Sequence, residues 1–413
     1  MQCLTTLRER REPRRIEFSQ GTLRTDPEFA TARIFDTTLR DGEQSPRTSF
    51  SYDDKREIAA ALDAAGVDVI EAGFPVNSDA EFAAVRDVAS AADTTVCGLA
   101  RVVEDDIEAA LDAGVDMVHA FASTSDVQIE DSMHASREAV IERSVETVVR
   151  AADSGAEVMF SPMDATRTDP DYLIEVVEAV SEAGVDWINV PDTCGVATPG
   201  RFAELIRTVR EHTDARIDVH THDDFGLASA NALAGLEAGA DQAQVSVGGI
   251  GERAGNAAFE QVIMAAESVY GADTGIDTTE ITALARLVEE RSGVDQPPNA
   301  PVVGDNAFAH ESGIHAAGVI ENSATFEPGV MTPEMVGAER ELVLGKHTGT
   351  HSVRERLCDA GYDPTDEQVR AVTREVKDRG ADGDEITEET LETVAEANGV
   401  DREAERVTEG PAR

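Results

Sequence analysis

Lysine is almost missing from this chain. Only Lys55, Lys346 and Lys377 occur in 413 residues, so arginine carries most of the 35 basic charges against 82 acidic ones. A formal net charge of −47 argues against a nucleic-acid partner, because phosphate backbones are held by dense Lys and Arg. The same sign argues against anionic membranes. The acid is spread over the whole chain and forms no tail. Such a surface repels itself at low salt and is relieved by screening. The expectation is a halophilic protein of a salt-rich cytosol, and greatest stability at low ionic strength would refute it. Cysteine is scarce too: Cys3, Cys97, Cys194 and Cys358 are irregularly spaced with no Cys-x-x-Cys pair. That suits reduced thiols in a cytoplasmic protein. Aromatic residues make up 4%, so Ala, Val, Ile and Leu must build the core. No apolar run approaches the roughly 18 residues of a membrane helix. The N-terminus has no apolar signal core, and Arg8 to Arg15 reads as part of a flexible basic arm.

What is present is a recurring phrase, a helix ending in a small residue, then Gly, Val or Ala, an acid and a β-rich segment. Its copies are Ala65-Gly66-Val67-Asp68, Ala113-Gly114-Val115-Asp116, Ser154-Gly155-Ala156-Glu157, Ala183-Gly184-Val185-Asp186 and Ala238-Gly239-Ala240-Asp241. Each marks a helix stopped by glycine and entering a strand. Eight strands are expected, near 33–38, 67–73, 95–100, 117–121, 157–161, 187–191, 216–220 and 242–247. Helical patterns separate them. Eight βα units in about 240 residues match a (β/α)8 TIM barrel, an α/β fold. An open doubly wound sheet is the alternative, but the turn after the first strand lacks its glycine-rich phosphate loop. The domains expected are a flexible arm over 1–30, a catalytic barrel over 31–275, and a linker with a smaller, mostly helical region over 276–413.

Chemistry in such a barrel sits at the C-terminal ends of the strands. There the sequence places Arg40-Asp41-Gly42-Glu43-Gln44, Arg101, His119, Asp192-Thr193, His220-Thr221-His222 and the loop Gly248 to Asn256. His220 and His222 share a face by the period of two. First and last strands are neighbours in a closed barrel, so Asp41, His220, His222 and Asn256 can converge. Two nitrogens and two oxygens suit Zn, Mn, Mg or Co with positions left for substrate oxygens. Arg40 would stabilise developing negative charge. Each residue alone would pass for a salt bridge or a cap, and only the set points to a metal centre.

Asp36-Thr37-Thr38-Leu39-Arg40-Asp41-Gly42-Glu43-Gln44, His220-Thr221-His222-Asp223-Asp224, Gly249-Ile250-Gly251-Glu252-Arg253-Ala254-Gly255-Asn256 and Ser312-Gly313-Ile314-His315 resemble motifs of the acetyl-CoA-dependent 2-oxo-acid synthases. These are the 2-isopropylmalate, citramalate and homocitrate synthases. The resemblance runs from about residue 33 to about residue 352. It implies a Claisen condensation of acetyl-CoA with a 2-oxo acid at a divalent metal held by Asp41, His220, His222 and Asn256. It implies Arg40 and His315 as catalytic residues, His315 coming from the partner subunit of a homodimer. Thr193 would hold the acceptor carboxylate, and His119, Ser161 and Gln44 complete the candidate substrate-binding set. The turn from Gly248 to Gly251 would lie near the thioester.

The chain also departs from that family. Met163 stands where the family usually has a glutamate implicated in proton chemistry, and Met moves no proton. Asp164 is adjacent, but in an extended strand it faces the other side. Met159, where homocitrate synthases tend to be basic, shares a face with Ser161 and Met163. An apolar pocket is expected, with 2-oxoisovalerate or pyruvate as acceptor. Gln128 and Glu130 stand where the family usually has a His and a basic residue. Only 67 residues follow Lys346, so no leucine-feedback domain and no leucine inhibition by that route are expected. Two other readings compete. A thioester lyase of the same barrel would carry a cysteine where Ile250 stands. A non-catalytic paralogue has Met163 as its sole support.

Overall fold

The computed structural model describes residues 17–19, 22–24, 29–311 and 331–402. Eight parallel strands form a closed barrel: β1 (Arg33–Asp36), β2 (Val69–Gly73), β3 (Thr95–Arg101), β4 (Met117–Ser123), β5 (Glu157–Met163), β6 (Trp187–Asp192), β7 (Arg216–Thr221) and β8 (Gln242–Val245). Gln242 of β8 lies opposite both Arg33 of β1 and Asp218 of β7, which closes the ring. All eight expected strands are present. β4 and β5 run further than the sequence reading, because their ladder stays in register from Met117 opposite Glu157 to Ser123 opposite Met163. That extension carries Met163 to the barrel mouth.

Helices cover the outside of the ring. The first, Tyr52–Ala65, starts in a reciprocal capping box between Ser51 and Asp54 and stops at Gly66. Gly66, Gly114, Gly155, Gly184 and Gly239 all have φ between 76° and 109°. The recurring phrase is therefore a left-handed stop that turns each helix back into a strand.

Between strands and helices lies a large aliphatic core. Inside the ring Phe35, Val69, Cys97, Met117, Met159 and Trp187 form a separate buried plug. Trp187 seals the lower end. Arg216 and Arg33 lie 4.1 and 5.6 Å from its ring centre, and its Nε1 donates to Glu157 at 3.0 Å. With the N-terminal end stoppered, the strands open only at their C-terminal ends.

Beyond helix Ile281–Ser292, helices Thr350–Asp359, Asp366–Asp382 and Glu388–Ala397 pack around their own core, which includes Val353, Leu357, Val372, Val376 and Val394. Strands Ala309–His310 and Glu341–Leu342 pair on the way to it. Among the described residues no helix is long and apolar enough to cross a membrane.

Candidate active site at the barrel mouth

The inward face of β7 carries His220, and His222 follows just past its end. Both are buried, their rings meet edge to face, and their Nε2 atoms lie 3.0 Å apart. Burial first, then the neighbouring His222, pushes the His220 pKa down to about 3. Burial likewise lowers that of His222. Both imidazoles are neutral near pH 7, as a metal ligand must be.

The turn after β1 supplies Asp41. Thr37 folds this turn by accepting from the backbone N–H groups of Arg40 and Gly42, while its hydroxyl accepts from Asp41 N. The Thr38 hydroxyl donates to Asp36 and accepts from Val247 N at 2.9 Å. That pins the β1 turn to the loop after β8. Asp41 Oδ2 consequently lies 3.9 Å from His220 Nε2, and Oδ1 accepts from Asn256 Nδ2 at 2.9 Å. Gly251 is required here: a Cβ would sit 2.2 Å from Asn256 Nδ2 and 2.9 Å from Asp41 Oδ1. Burial alone would raise the Asp41 carboxyl, but Arg40, His220 and His222 outweigh it and hold it below the usual carboxylate range.

These residues fit a divalent cation. Asp41, His220 and His222 each offer a ligand atom, all within 4.8 Å of one another. Asn256 spends its Nδ2 on Asp41 and the Ile250 carbonyl, which leaves its buried Oδ1 without a donor. A buried orphan oxygen is costly unless something binds it. The Asn256 amide is held against Asp41, a member of that cluster, through Nδ2. A second cluster, Glu71, Cys97 and His119, also lies within 4.8 Å. It does not fit: Glu71 is already clamped by the Arg40 cation, and burial pushes the Cys97 thiol up, away from the thiolate a metal needs.

Glu71 organises the next layer. Its carboxylate accepts from Arg40 Nε and the Thr37 hydroxyl, both at 2.6 Å, and meets His119 Nδ1 at 2.7 Å. His119 Nε2 reaches the Ser161 hydroxyl at 2.6 Å. Arg40 also donates to Asp41 at 2.5 Å. Burial pushes the Glu71 pKa up, but Arg40 and His119 pull it further down, to about 2. Sequence reasoning missed Glu71. The one available signal was an acid inside the apolar strand Val69-Ile70-Glu71-Ala72.

A cavity of about 140 Å³ opens above this layer. Arg40, Asp41, Gln44, His220 and His222 line one side; Leu99, Phe121, Met163 and Pro191 line the other. His119, Ser161, Asn189 and Thr193 lie between, and Glu252 stands at the rim. Thus eight of the ten residues singled out in the sequence border one space, and Asn256 lies behind Asp41. The tenth, His315, falls outside the described residues with the rest of its Ser312-Gly313-Ile314 motif. The Thr193 hydroxyl accepts from Asp164 N at 2.9 Å, so its own proton remains available.

Several expectations need correction. Met159 does not line the cavity; it lies a layer lower, in the plug. Asp164 is out of reach for a reason other than strand parity. It sits past the strand end at φ 71°, and Arg167 (2.8 and 2.6 Å) and Ser125 (2.5 Å) consume its buried carboxylate. Arg101 is tied to Asp106 at 2.7 Å and turns away from the mouth.

The HMGL-like family model matches residues 31–288, and the model described as homocitrate synthase post-HMGL domain-like matches residues 302–384. A probable 2-isopropylmalate synthase of Archaeoglobus fulgidus is 51% identical over 369 residues, 89% of this chain and 73% of the relative. A putative (R)-citramalate synthase of Methanopyrus kandleri is 47% identical over 377 residues, 91% of this chain and 74% of the relative. Among solved structures, the HMG-CoA lyase of Brucella melitensis superposes with a TM-score of 0.58 at 23% identity, over 64% of this chain and all of the lyase. That likeness concerns the barrel fold.

Proposed function

The chain belongs to the HMGL-like family, and from that premise we propose that it is an acyltransferase of the 2-isopropylmalate synthase type. It condenses acetyl-CoA with 2-oxoisovalerate, a step of leucine biosynthesis. Several relatives named 2-isopropylmalate synthase, each about half identical over most of the chain, support the reaction class. The single observation that carries the reading is the orphan Oδ1 of Asn256 beside Asp41, His220 and His222, in a cavity whose far wall is apolar.

Asp41, His220, His222 and Asn256 would hold the cation, with Mn, Mg, Zn and Co all suited to two nitrogens and two oxygens. When bound, it supplies Lewis acidity toward the carboxylate and keto oxygens of the acceptor. The other groups do protein work. Arg40 faces the keto oxygen and stabilises its growing charge, and Glu71 keeps the guanidinium aimed. The free hydroxyl proton of Thr193 goes to the acceptor carboxylate. Leu99, Phe121, Met163 and Pro191 receive the isopropyl group.

That wall also separates acceptors. It offers no cation for the distal carboxylate of a homocitrate-type substrate, and pyruvate would leave it part-empty. Thiol release from acetyl-CoA, assayed against a panel of 2-oxo acids with Mn, Mg or Zn, tests the reading. kcat/KM for 2-oxoisovalerate should exceed that for pyruvate by about tenfold or more. Equal values would favour a citramalate synthase, and no thiol release would refute the proposal. A homodimer is part of this reading, because the resemblance assigns His315 to the partner subunit. Sedimentation equilibrium at high salt tests it.

A further inference from the structure

Condensation needs a base. A proton must leave the acetyl methyl before the carbon can attack, and Met163 at the cavity wall cannot take it. We infer that Glu252 is the group that does, an inference that rests on the function proposed above.

Among the described carboxylates around the mouth, all but one are already engaged. Asp41 is a cation ligand. Glu71 is closed in by Arg40, Thr37 and His119. Asp164 is held by Arg167 and Ser125. Asp192 accepts from the Thr166 hydroxyl and from Val196 and Ala197 N–H. Asp224 is bound twice by Arg253, and Glu43 pairs with Lys55 at 2.7 Å. His119 has both ring nitrogens engaged. Glu252 alone combines a place in the cavity lining with a carboxylate that is not consumed. Among the described residues its one ionic neighbour is Arg253 at 3.5 Å, and that guanidinium is already committed to Asp224 and the Thr193 carbonyl.

Its backbone is held although its side chain is 57% exposed. Glu252 N–H points at Asp41 Oδ1 from 3.4 Å, and the next residue, Arg253, is set at φ 58° by its ties to Asp224. The backbone is anchored at the cation site while the side chain reaches the rim, where a thioester too large for the cavity must arrive.

The step balances without a further reagent. The methyl C–H bond breaks as an O–H bond forms on Glu252. Its electron pair becomes the enolate C=C, and the thioester carbonyl pair moves to oxygen. The enolate carbon then bonds to the keto carbon, whose π pair moves to the oxygen beside Arg40. Glu252 returns its proton to that alkoxide. Water afterwards attacks the thioester, the C–S bond breaks, and the thiolate takes a proton from the water.

Glu252→Gln should lower kcat about 10²- to 10⁴-fold, leaving KM for 2-oxoisovalerate within about threefold because the acceptor is held elsewhere. Calorimetric binding of 2-oxoisovalerate with Mn should be unchanged, which also shows that the variant folds. Glu252→Asp should recover at least part of the rate. With trideuterated acetyl-CoA the Gln variant should show a larger isotope effect on kcat than the wild type, as proton removal becomes limiting. A Gln variant that keeps kcat within threefold overturns the inference, and so does one that loses acceptor binding along with turnover. Wild-type protein that releases no thiol with any 2-oxo acid removes the functional reading and the inference with it. Turnover by both proteins removes the inference alone.

Discussion

The wall of the barrel mouth made by β1, β2, β7 and the loop after β8 is ionic and interlocked: Arg40, Asp41, Glu71, His220 and Asn256 each depend on another for charge or a hydrogen bond. The wall made by β3 to β6 meets the same cavity with Leu99, Phe121, Met163 and Pro191, and its polar contributions are His119, Ser161, Asn189 and, just past β6, Thr193. The difference separates two tasks. Groups that stabilise charge must be fixed before the reaction, because rearranging them would cost the energy they supply. Groups that choose an acceptor need shape, and a change there alters which acid is used more than whether the reaction runs.

Substitutions on the ionic side should be the harshest. Asp41→Asn should lower kcat/KM about 10³-fold and reduce Mn bound per chain, measured by metal analysis after gel filtration. Glu71→Gln comes next: it frees Arg40 and His119 without removing a ligand, so the loss should be about 10- to 100-fold, as for groups that orient ligands. Leaving Arg40 buried without its main counter-charge should also cost about 3 kcal/mol of stability, read by chemical denaturation. On the apolar side Leu99→Ala should raise KM for 2-oxoisovalerate about tenfold while pyruvate is little affected. Equal losses for both acids would erase the distinction between the walls.

A last contrast concerns a carboxylate that has no cation beside it among the described residues. Glu260 is as buried as Glu71, yet its shift is opposite. Burial pushes it up to about 7, offset only partly by hydrogen bonds from its own N–H and from Gly248 N. Its stabilising contribution is complete below its unfolded value of 4.5 and is lost as pH rises through 7. Glu71, shifted down to about 2, contributes fully above 4.5 and loses its contribution as pH falls through 2. Glu260→Gln should therefore flatten the decline in stability between pH 5 and 8, by at most about 3 kcal/mol. Urea melts across that range would show it, and an unchanged slope would place the pH dependence elsewhere.

The barrel was readable because its signals are local. Glycine stops recur at five helix ends, and each is followed by a run suited to a strand. The ionic wall was readable in part because its residues are clustered oddities: two histidines at period two, and an Arg-Asp pair in a turn. Leu99, Phe121 and Pro191 escaped notice because alternating apolar positions in a strand look alike. Only the stagger of the closed sheet decides which of them reach the mouth. The same stagger put Met159 in the plug and Met163 at the cavity, although both share a face. Glu71 escaped because its role depends on Arg40, 31 residues upstream in the chain.

The most direct test is the position of the cation. A crystal grown with Mn and 2-oxoisovalerate should give one strong anomalous peak about 2.0–2.5 Å from Asp41, His220 and His222, with the acceptor against it. A peak instead at Glu71, Cys97 and His119, or none within reach of the two imidazoles, would contradict the account.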